Sequence, residues 1–176
     1  TCTLGGNVAE NPGGMRCYKY GVTGNYVLGL EAFLINGEKI KTGAHVIKNV
    51  AGYDLKSLLI GSEGTLAVIS KIILRLIPLP PCRRLFRVDF GHLKRAAEFI
   101  NHVIKANIAP SALEFIDRSS LEAVYRYVKL SPDPRIHATV LMEIDGNITD
   151  VEERKNRLSQ LVSTCSAEVI DFKQAE

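Results

Sequence analysis

A proline cluster near the middle of the chain divides the sequence into two parts with different patterns. Pro78 to Pro81 follows directly on Leu66 to Ile77, an apolar run with a few polar breaks that is typical of a long strand. Proline lacks the backbone N–H that a strand interior needs and restricts the residue before it, so the run ends there. We therefore predict two domains, residues 1–82 and residues 83–176.

The first part has the pattern of strands joined by tight turns. Residues 26–35 are almost all apolar, with β-branched and aromatic members, which indicates a strand covered on both faces. Asn36-Gly37 is typical of a type I′ hairpin turn, because both residues accept positive φ, and Glu38 to Thr42 should form the return strand. Asp54 can cap a short helix over Leu55 to Ile60.

The second part alternates between the periodicity of strands and that of helices. The predicted order is βαβαβαβ, with strand 85–90, helix 92–106, strand 112–116, a helix after 119, strand 136–144, helix 149–162 and strand 167–172. Two capping boxes, Ser119 with Glu122 and Thr149 with Glu152, mark helix starts. Four strands with helices between them predict an α+β, ferredoxin-like fold with an extra helix and all helices on one sheet face. The other face would then need a cover.

Glycine is concentrated at the start of the chain. Cys2 to Val22 holds five of the 14 glycines, and Ser62 to Thr65 forms a second turn of small residues. Glycine permits positive φ and close approach of the backbone, so each turn could present N–H groups to a phosphate or a flat ring. A plain surface loop is an equal alternative for the glycine density alone. Neither segment has the GxGxxG or GxxxxGK[ST] pattern of a nucleotide loop.

Composition excludes several classes of protein. The net charge is +3 and the lysines and arginines are dispersed, so nucleic-acid binding is not indicated. No apolar run reaches the roughly 18 residues of a membrane span. Cys2, Cys17, Cys82 and Cys165 are widely spaced without a CxxC pair, which predicts thiols rather than a disulfide framework or a metal site.

Two long stretches carry a resemblance to a known family. They are GGNVAENPGGMRCYKYGVTGNYVLGLEAFLINGEKIKTG and KNVAGYDLKSLLIGSEGTLAVISKIILRLIPLP, and the later ALEFIDR extends the match. The sequence resembles the FAD-linked 2-hydroxyacid oxidases and dehydrogenases, a family that includes the flavoprotein subunit of bacterial glycolate oxidase and D-lactate and D-2-hydroxyglutarate dehydrogenases. The resemblance covers essentially the whole chain. It implies the second part of an FAD-binding domain of the vanillyl-alcohol-oxidase (PCMH) type, followed by the first part of a cap, or substrate, domain.

The resemblance also implies a function and a set of cofactor-binding residues. Family members transfer a hydride from C2 of a 2-hydroxy acid, such as glycolate or D-lactate, to FAD while a protein base takes the hydroxyl proton. Positions matching the family's flavin contacts, mainly through the backbone, are Gly5, Gly6, Asn7, Gly13, Gly14, Gly21, Val22, Glu63, Gly64 and Val68. The family usually has Ala at Pro12 and Gly at Ala67, and neither difference should abolish the site. Catalytic residues remain unassigned, and no metal site is predicted.

The family's pyrophosphate loop and its His-rich segment have no counterpart in this sequence. The four histidines form no HxxH pattern. We therefore expect an incomplete portion of the enzyme that binds FAD weakly or not at all by itself, with Leu66 to Leu79 partly uncovered or paired with another copy. The family further implies other oxidase subunits as partners, including an iron–sulfur protein, a homo-oligomer as one option, and a cytoplasmic location peripheral to the inner membrane through those subunits. The alternative is a cofactor-free interaction or assembly module of a larger complex.

Several polar residues keep two interpretations at this point. Arg16 and Lys19 could pair with phosphate or flavin oxygens, although solvated cations are the more common case. Glu114 and Asp117 could act as an acid–base pair, and His45 could be a base, but surface roles are more common for all three. A structural role is as good an interpretation as cofactor contact for Lys48, Asn49 and Tyr53.

Overall fold

The computed structural model describes residues 2–131, 133–165 and 169–175. Its helices are α1 Leu4–Glu10, α2 Cys17–Tyr20, α3 Leu55–Leu59, α4 Leu93–Lys105, α5 Arg118–Tyr127 and α6 Ile148–Thr164. Its strands are β1 Val27–Phe33, β2 Lys39–Gly43, β3 Val68–Leu74, β4 Cys82–Phe90, β5 Ala112–Asp117, β6 Ala138–Gly146 and β7 Val169–Ala175. A short 3₁₀ helix, Thr23–Tyr26, precedes β1.

The chain forms two compact units. Unit 1 comprises Thr1–Gly14 and Gly21–Pro78, and unit 2 comprises Met15–Tyr20 and Leu79–Glu176. Six residues from within the glycine-rich segment therefore belong to unit 2. We call Met15–Tyr20 the strap. The assignment of residues 1–82 and 83–176 to an FAD-binding and a cap domain stays a prediction, and it did not anticipate the strap.

Unit 1 is built on an antiparallel sheet with the strand order β2-β1-β3. β1 is central, and its inward residues Leu30 and Ala32 form the core with Val8, Val27, Leu59 and Ala67. Among the described strands, β3 pairs with β1 alone, so it lies at the edge of this sheet. The expectation that Leu66 to Leu79 is partly uncovered is confirmed, since Leu66, Val68 and Leu76 are exposed.

The hairpin between β1 and β2 is confirmed, but its predicted turn type is wrong. Gly37 has φ 82°, whereas Asn36 has no positive φ. The Leu34 carbonyl accepts a hydrogen bond from the Gly37 N–H at 2.9 Å, and the Leu34 N–H donates to the Glu38 carbonyl at 2.9 Å. This pattern is a three-residue loop in which only the last residue takes the left-handed conformation.

Unit 2 is an antiparallel sheet with the order β5-β6-β4-β7, which confirms the βαβαβαβ sequence of elements and the α+β fold class. One face of β4 and β6 carries Phe86, Val88, Phe90, Val140, Met142 and Ile144, which pack with residues of α4 and α6 as the main core. The predicted helix 92–106 and strands 85–90 and 112–116 agree with α4, β4 and β5. The predicted strand 167–172 begins outside the described residues, and β7 starts at Val169.

The opposite face of this sheet, which we call the polar face, is formed by Arg87, Asp89, Thr139, Glu143 and Asp145. The prediction that all helices share one face is wrong for α5. The Arg87 guanidinium donates to the Tyr125 hydroxyl at 3.2 Å, which brings α5 over the polar face. Leu121 of α5 is buried and lines an apolar groove of about 300 Å³ on this side.

Both predicted capping boxes in this half are wrong. Asp117 caps α5, because its Oδ1 accepts a hydrogen bond from the Ser120 N–H at 2.8 Å, so Ser119 lies inside the helix. α6 starts at Ile148 after Asn147, ahead of the predicted cap at Thr149. Each helix begins as soon as the preceding strand ends, which leaves no loop for the predicted boxes. The Asp54 cap of α3 is confirmed by a 3.1 Å hydrogen bond from the Ser57 N–H.

Among the residues that the structure describes, no helix is both long and apolar enough to cross a bilayer. Cys2, Cys17, Cys82 and Cys165 are thiols rather than disulfides. Within the same residues, no three His, Cys, Asp or Glu side chains are grouped so that they could hold a metal ion.

Candidate functional site

The first predicted glycine segment begins as a helix rather than a loop. Gly5, Gly6 and Asn7 lie in α1, whose start is capped by the Thr3 hydroxyl, which accepts the Gly6 N–H at 3.0 Å. Glycine in a helix interior costs roughly 1 kcal/mol relative to Ala, so local propensity argues against this helix. It forms because Val8 is fully buried in the unit 1 core and because both ends are capped. Asn11 ends the helix with φ 48°.

The two predicted glycine turns meet inside unit 1. The Val8 carbonyl accepts a hydrogen bond from the Gly61 N–H at 3.0 Å, and the Ala9 carbonyl accepts one from the Glu63 N–H at 2.9 Å. Gly61, Glu63 and Gly64 all have positive φ, of 77°, 52° and 77°. A non-glycine residue such as Glu63 pays on the order of 1–3 kcal/mol for this conformation, and such strain is common at functional sites.

Asn11 connects α1 to the next part of the segment. Its Oδ1 accepts a hydrogen bond from the Gly24 N–H at 2.8 Å, and it occupies the space that a Gly24 side chain would need. Gly21 follows the strap with φ 73°, and a Cβ there would lie 2.3 Å from Asn25 Oδ1. Asn25 Oδ1 also accepts the Val22 N–H at 2.8 Å. Gly21 is therefore required by the fold itself.

Unit 1 also contains a cleft of about 730 Å³. Its lining includes Asn49 and Tyr53, together with Arg75, whose guanidinium lies over the Tyr26 ring at 5.4 Å. The Arg75 Nε is buried and has no hydrogen-bond partner among the residues that the structure describes. Tyr53 is 95% exposed and His45 is also exposed, and their roles stay predictions.

Comparison with known proteins identifies the family of this chain. Residues 79–175 match the family described as FAD linked oxidases, C-terminal domain, and residues 1–43 match the family described as FAD binding domain. The chain belongs to the FAD-linked oxidase family. This result confirms the family inferred from the two long motifs, and FAD is the cofactor of that family.

Individual relatives of this FAD-linked oxidase chain include hydroxy-acid enzymes. It is 38% identical over 174 residues to glycolate oxidase subunit GlcD of Bacillus subtilis, covering 99% of this chain and 37% of that protein. It is 34% identical over 172 residues to D-lactate dehydrogenase of Anaerostipes hadrus, covering 94% of this chain and 36% of that protein. The chain thus spans just over a third of the length of these relatives.

A solved structure supports the fold alone. Alkyldihydroxyacetonephosphate synthase is similar with a TM-score of 0.74 at 17% identity, covering 97% of this chain and 34% of that one.

The glycines of unit 1 fit a bound flavin nucleotide. A Cβ built on Gly5, Gly13 or Gly14 meets no atom within 4 Å, and none of these three residues has positive φ. Neither the backbone nor a neighbour therefore requires glycine at these positions. Close approach of a flat or anionic group would require it. Gly64 also faces open space, although its positive φ explains its identity as well.

The structure brings some of the predicted cofactor residues together and leaves others apart. Gly5, Gly6 and Asn7 share α1, whose last turn is bonded to the turn that holds Glu63 and Gly64. Val68 is the first residue of β3 and is 67% exposed. Their contact with FAD stays a prediction.

The strap carries the polar contacts that the sequence did not reveal. Arg16 Nε and Nη2 donate to the two carboxylate oxygens of Glu143 at 2.9 and 2.8 Å. Lys19 forms a salt bridge with Asp145, and the Tyr20 hydroxyl donates to Asp145 Oδ2 at 2.5 Å. The interpretation of Arg16 and Lys19 as solvated cations is therefore wrong, and their contact with phosphate or flavin oxygens stays a prediction.

Burial and the neighbouring donors shift the pKa values of the Glu143 and Asp145 carboxylates in opposite directions. The side chains of Glu143 and Asp145 are 5% and 1% exposed. The hydrogen bond from Arg16 holds the pKa of Glu143 below its usual value despite burial. Burial alone would raise the pKa of Asp145, but the hydrogen bonds from Lys19 and Tyr20 outweigh it and the pKa is lowered. Both groups are therefore charged at neutral pH.

Another buried carboxylate of the polar face also has hydrogen-bond donors close to it. Asp89 is 1% exposed and accepts hydrogen bonds from Arg87 Nε at 2.9 Å and from the Thr139 hydroxyl at 2.5 Å. Asp117 is the α5 cap, so the tentative acid–base pair of Glu114 with Asp117 is not supported. A complementary charge spacing in the sequence could have suggested the strap contacts. Glu143 and Asp145 are two residues apart on one strand face, and the basic residues Arg16 and Lys19 are three residues apart in the glycine segment.

Proposed function

We propose that this chain contributes to the FAD-dependent oxidation of a 2-hydroxy acid of the glycolate or D-lactate type. Family membership carries the proposal, and it is supported by the glycines at which an added Cβ meets no described atom within 4 Å. Glycolate oxidase and D-lactate dehydrogenase are names of its relatives. When bound, FAD accepts the hydride from C2 of such an acid.

The chain's own residues would hold the flavin through the backbone. We infer that residues 1–82 act as part of the FAD-binding domain and residues 83–176 as part of the cap domain. Gly5, Gly13 and Gly14 would let the main chain approach the cofactor, and Glu63 and Gly64 would form the turn beside them. Helix α1 and that turn are joined by the hydrogen bonds to the Val8 and Ala9 carbonyls, so they would act as one rigid wall. Gly6, Asn7, Gly21, Val22 and Val68 complete the proposed set.

The test is reduction of the bound flavin by candidate substrates. The full-length native polypeptide that contains this chain, called the full protein below, is mixed without oxygen with glycolate, D-lactate or D-2-hydroxyglutarate. The loss of oxidised-flavin absorbance is followed. We expect at least one of these acids to bleach the flavin, and deuterium at its C2 to slow the reaction. Bleaching by none of the acids, in a protein that holds FAD, would refute the substrate class while leaving cofactor binding intact.

A second candidate is a role in assembly, which exposed apolar residues of unit 1 favour. Ile47 and Val50 are 76% and 88% exposed in the segment between β2 and α3. GlcD is named as a subunit of glycolate oxidase. We propose that this protein also joins other subunits, with an iron–sulfur protein among them, in the cytoplasm and peripheral to the inner membrane. Size measurement of the native complex from cells, with its composition, tests this proposal.

A further inference from the structure

We propose that Glu143 and Asp145 are positioning residues for the flavin, because they fix the strap between the two halves of the glycine segment. This inference rests on the proposed function, and it assigns a role to residues that lie outside the predicted cofactor set. The strap is bounded by Gly14 and Gly21, which are both in that set. A fixed strap therefore limits where the chain can place these two glycines.

The first anchor is the pair of Arg16 and Glu143. Two parallel N–H···O bonds fix the orientation of the guanidinium as well as its position. Glu143 is itself held, since its Oε1 accepts the hydroxyl of the fully buried Ser111 at 2.8 Å. The Arg83 Nε lies 3.6 Å from Glu143 Oε2 and adds positive charge.

The second anchor is Asp145 with Lys19 and Tyr20. The two donors reach different oxygens of one carboxylate, and Lys19 Nζ also lies 3.3 Å from the Asp145 carbonyl. Arg154 donates to the same carbonyl from α6. Asp145 is almost completely buried, so it has no solvent to exchange for these partners.

The two anchors match the geometry of one helical turn. The Tyr20 N–H donates to the Arg16 carbonyl at 3.0 Å, so the strap coils from Arg16 to Tyr20. Positions i, i+3 and i+4 share one side of such a turn, which directs Arg16, Lys19 and Tyr20 to the same strand. Glu143 and Asp145 are two residues apart on β6 and therefore share one face.

These contacts differ from ordinary surface ion pairs. Exposed pairs contribute little and are screened by salt. Here both acceptors are buried charges, and removal of a partner leaves a carboxylate with too few donors. The strap is therefore held strongly in one conformation, and its release would require rehydration of two acids.

The experiment measures FAD affinity by titration of the full protein, followed by quenching of flavin fluorescence. The variants are Glu143→Gln, Asp145→Asn and the milder Tyr20→Phe and Arg16→Lys. If one lost anchor leaves the strap in place for about a tenth of the time, the apparent Kd rises about tenfold. The control is Glu122→Gln, which removes one negative charge from an exposed pair on α5 and should leave the Kd unchanged.

Proteolysis supplies a readout that does not depend on flavin. Trypsin cleaves after Arg16 and Lys19, and we expect the apoprotein variants to be cut there faster than the wild type and the Glu122→Gln control. Faster cleavage together with a raised Kd supports the positioning role. Faster cleavage with an unchanged Kd overturns the positioning role, because release of the strap would then have no effect on FAD binding.

The remaining outcomes are equally decisive. Unchanged cleavage in all variants overturns the anchoring itself. A wild type that binds no FAD refutes the proposed function. A wild type that binds FAD with the same affinity as the variants refutes only the positioning role. Should Glu143→Gln fail to fold, Tyr20→Phe decides, because it removes a single hydroxyl.

Discussion

Replacement of Arg16 by alanine tests the energetics of the strap most sharply. Glu143 would lose both oxygen contacts of the guanidinium and keep Ser111 at 2.8 Å and Arg83 at 3.6 Å. A hydrogen bond to a charged group contributes about 1.5–3 kcal/mol. The Arg16 side chain is 46% exposed, so part of this gain is already offset by its lost hydration. We therefore expect Arg16→Ala to lower the free energy of unfolding by about 2–3 kcal/mol at pH 7.

The loss of stability caused by Arg16→Ala should become smaller in acid. The direction of this pH dependence follows from the pKa of Glu143. In the wild type this pKa is lowered, so the stabilisation is fully present above the unfolded value of about 4.3. It is lost as the pH falls below that value through the folded pKa. In Arg16→Ala the main cause of the lowering is gone while burial remains, so the pKa rises and the carboxyl protonates early. Wild type and variant should therefore converge in stability toward pH 3.

Urea unfolding followed by circular dichroism, from pH 7 to pH 3, measures this difference. The matched control is Arg157→Ala, which breaks the exposed pair of Arg157 with Glu153 on α6 in the same unit and should change stability by less than about 1 kcal/mol at pH 7. An Arg16→Ala cost that is equal at both ends of the pH range would refute the role of a buried charge. A cost no larger than that of the control would refute the anchor.

Other substitutions test separate parts of the fold. Gly21→Ala should cost more than Gly37→Ala in urea unfolding, because both have positive φ but only the first places a Cβ 2.3 Å from a neighbour. Phe99→Ala should cost about 3–5 kcal/mol, since it empties a fully packed site against Phe90, whereas Phe115→Ala at an exposed site should cost far less. Asp117→Ala should lower the Tm and Ser119→Ala should not, because Asp117 is the true cap of α5; the reverse order would restore the capping box.

Sequence periodicity was sufficient for the elements that alternate regularly between a buried and a less buried side. β4 and β6 alternate cleanly because one face meets α4 and α6, and the apolar positions of α4 fall on one side. The hairpin at Gly37 followed from turn chemistry in the same way. The pattern of each of these elements lies within a few consecutive residues, so a single sequence carries enough information to place it.

The features that the sequence did not disclose depend on distant partners. α1 forms despite Gly5 and Gly6 because Val8 enters the core and the carbonyls of its last turn meet the turn at Gly61. Glu143 and Asp145 have the pattern of a solvent-facing row, yet they are buried by a segment more than a hundred residues earlier in the chain. No local signal distinguishes a strand face open to water from one covered by a strap.

Equilibrium FAD binding by the full protein tests the central claim most directly. We predict saturable binding of one FAD by the wild type, and its loss in Gly14→Leu without a fall in Tm, because a Cβ at Gly14 meets no described atom within 4 Å. Leucine at Asn101, an exposed position on α4, is the control and should leave binding unchanged. Absence of binding in the wild type, or wild-type affinity in Gly14→Leu, would contradict the account.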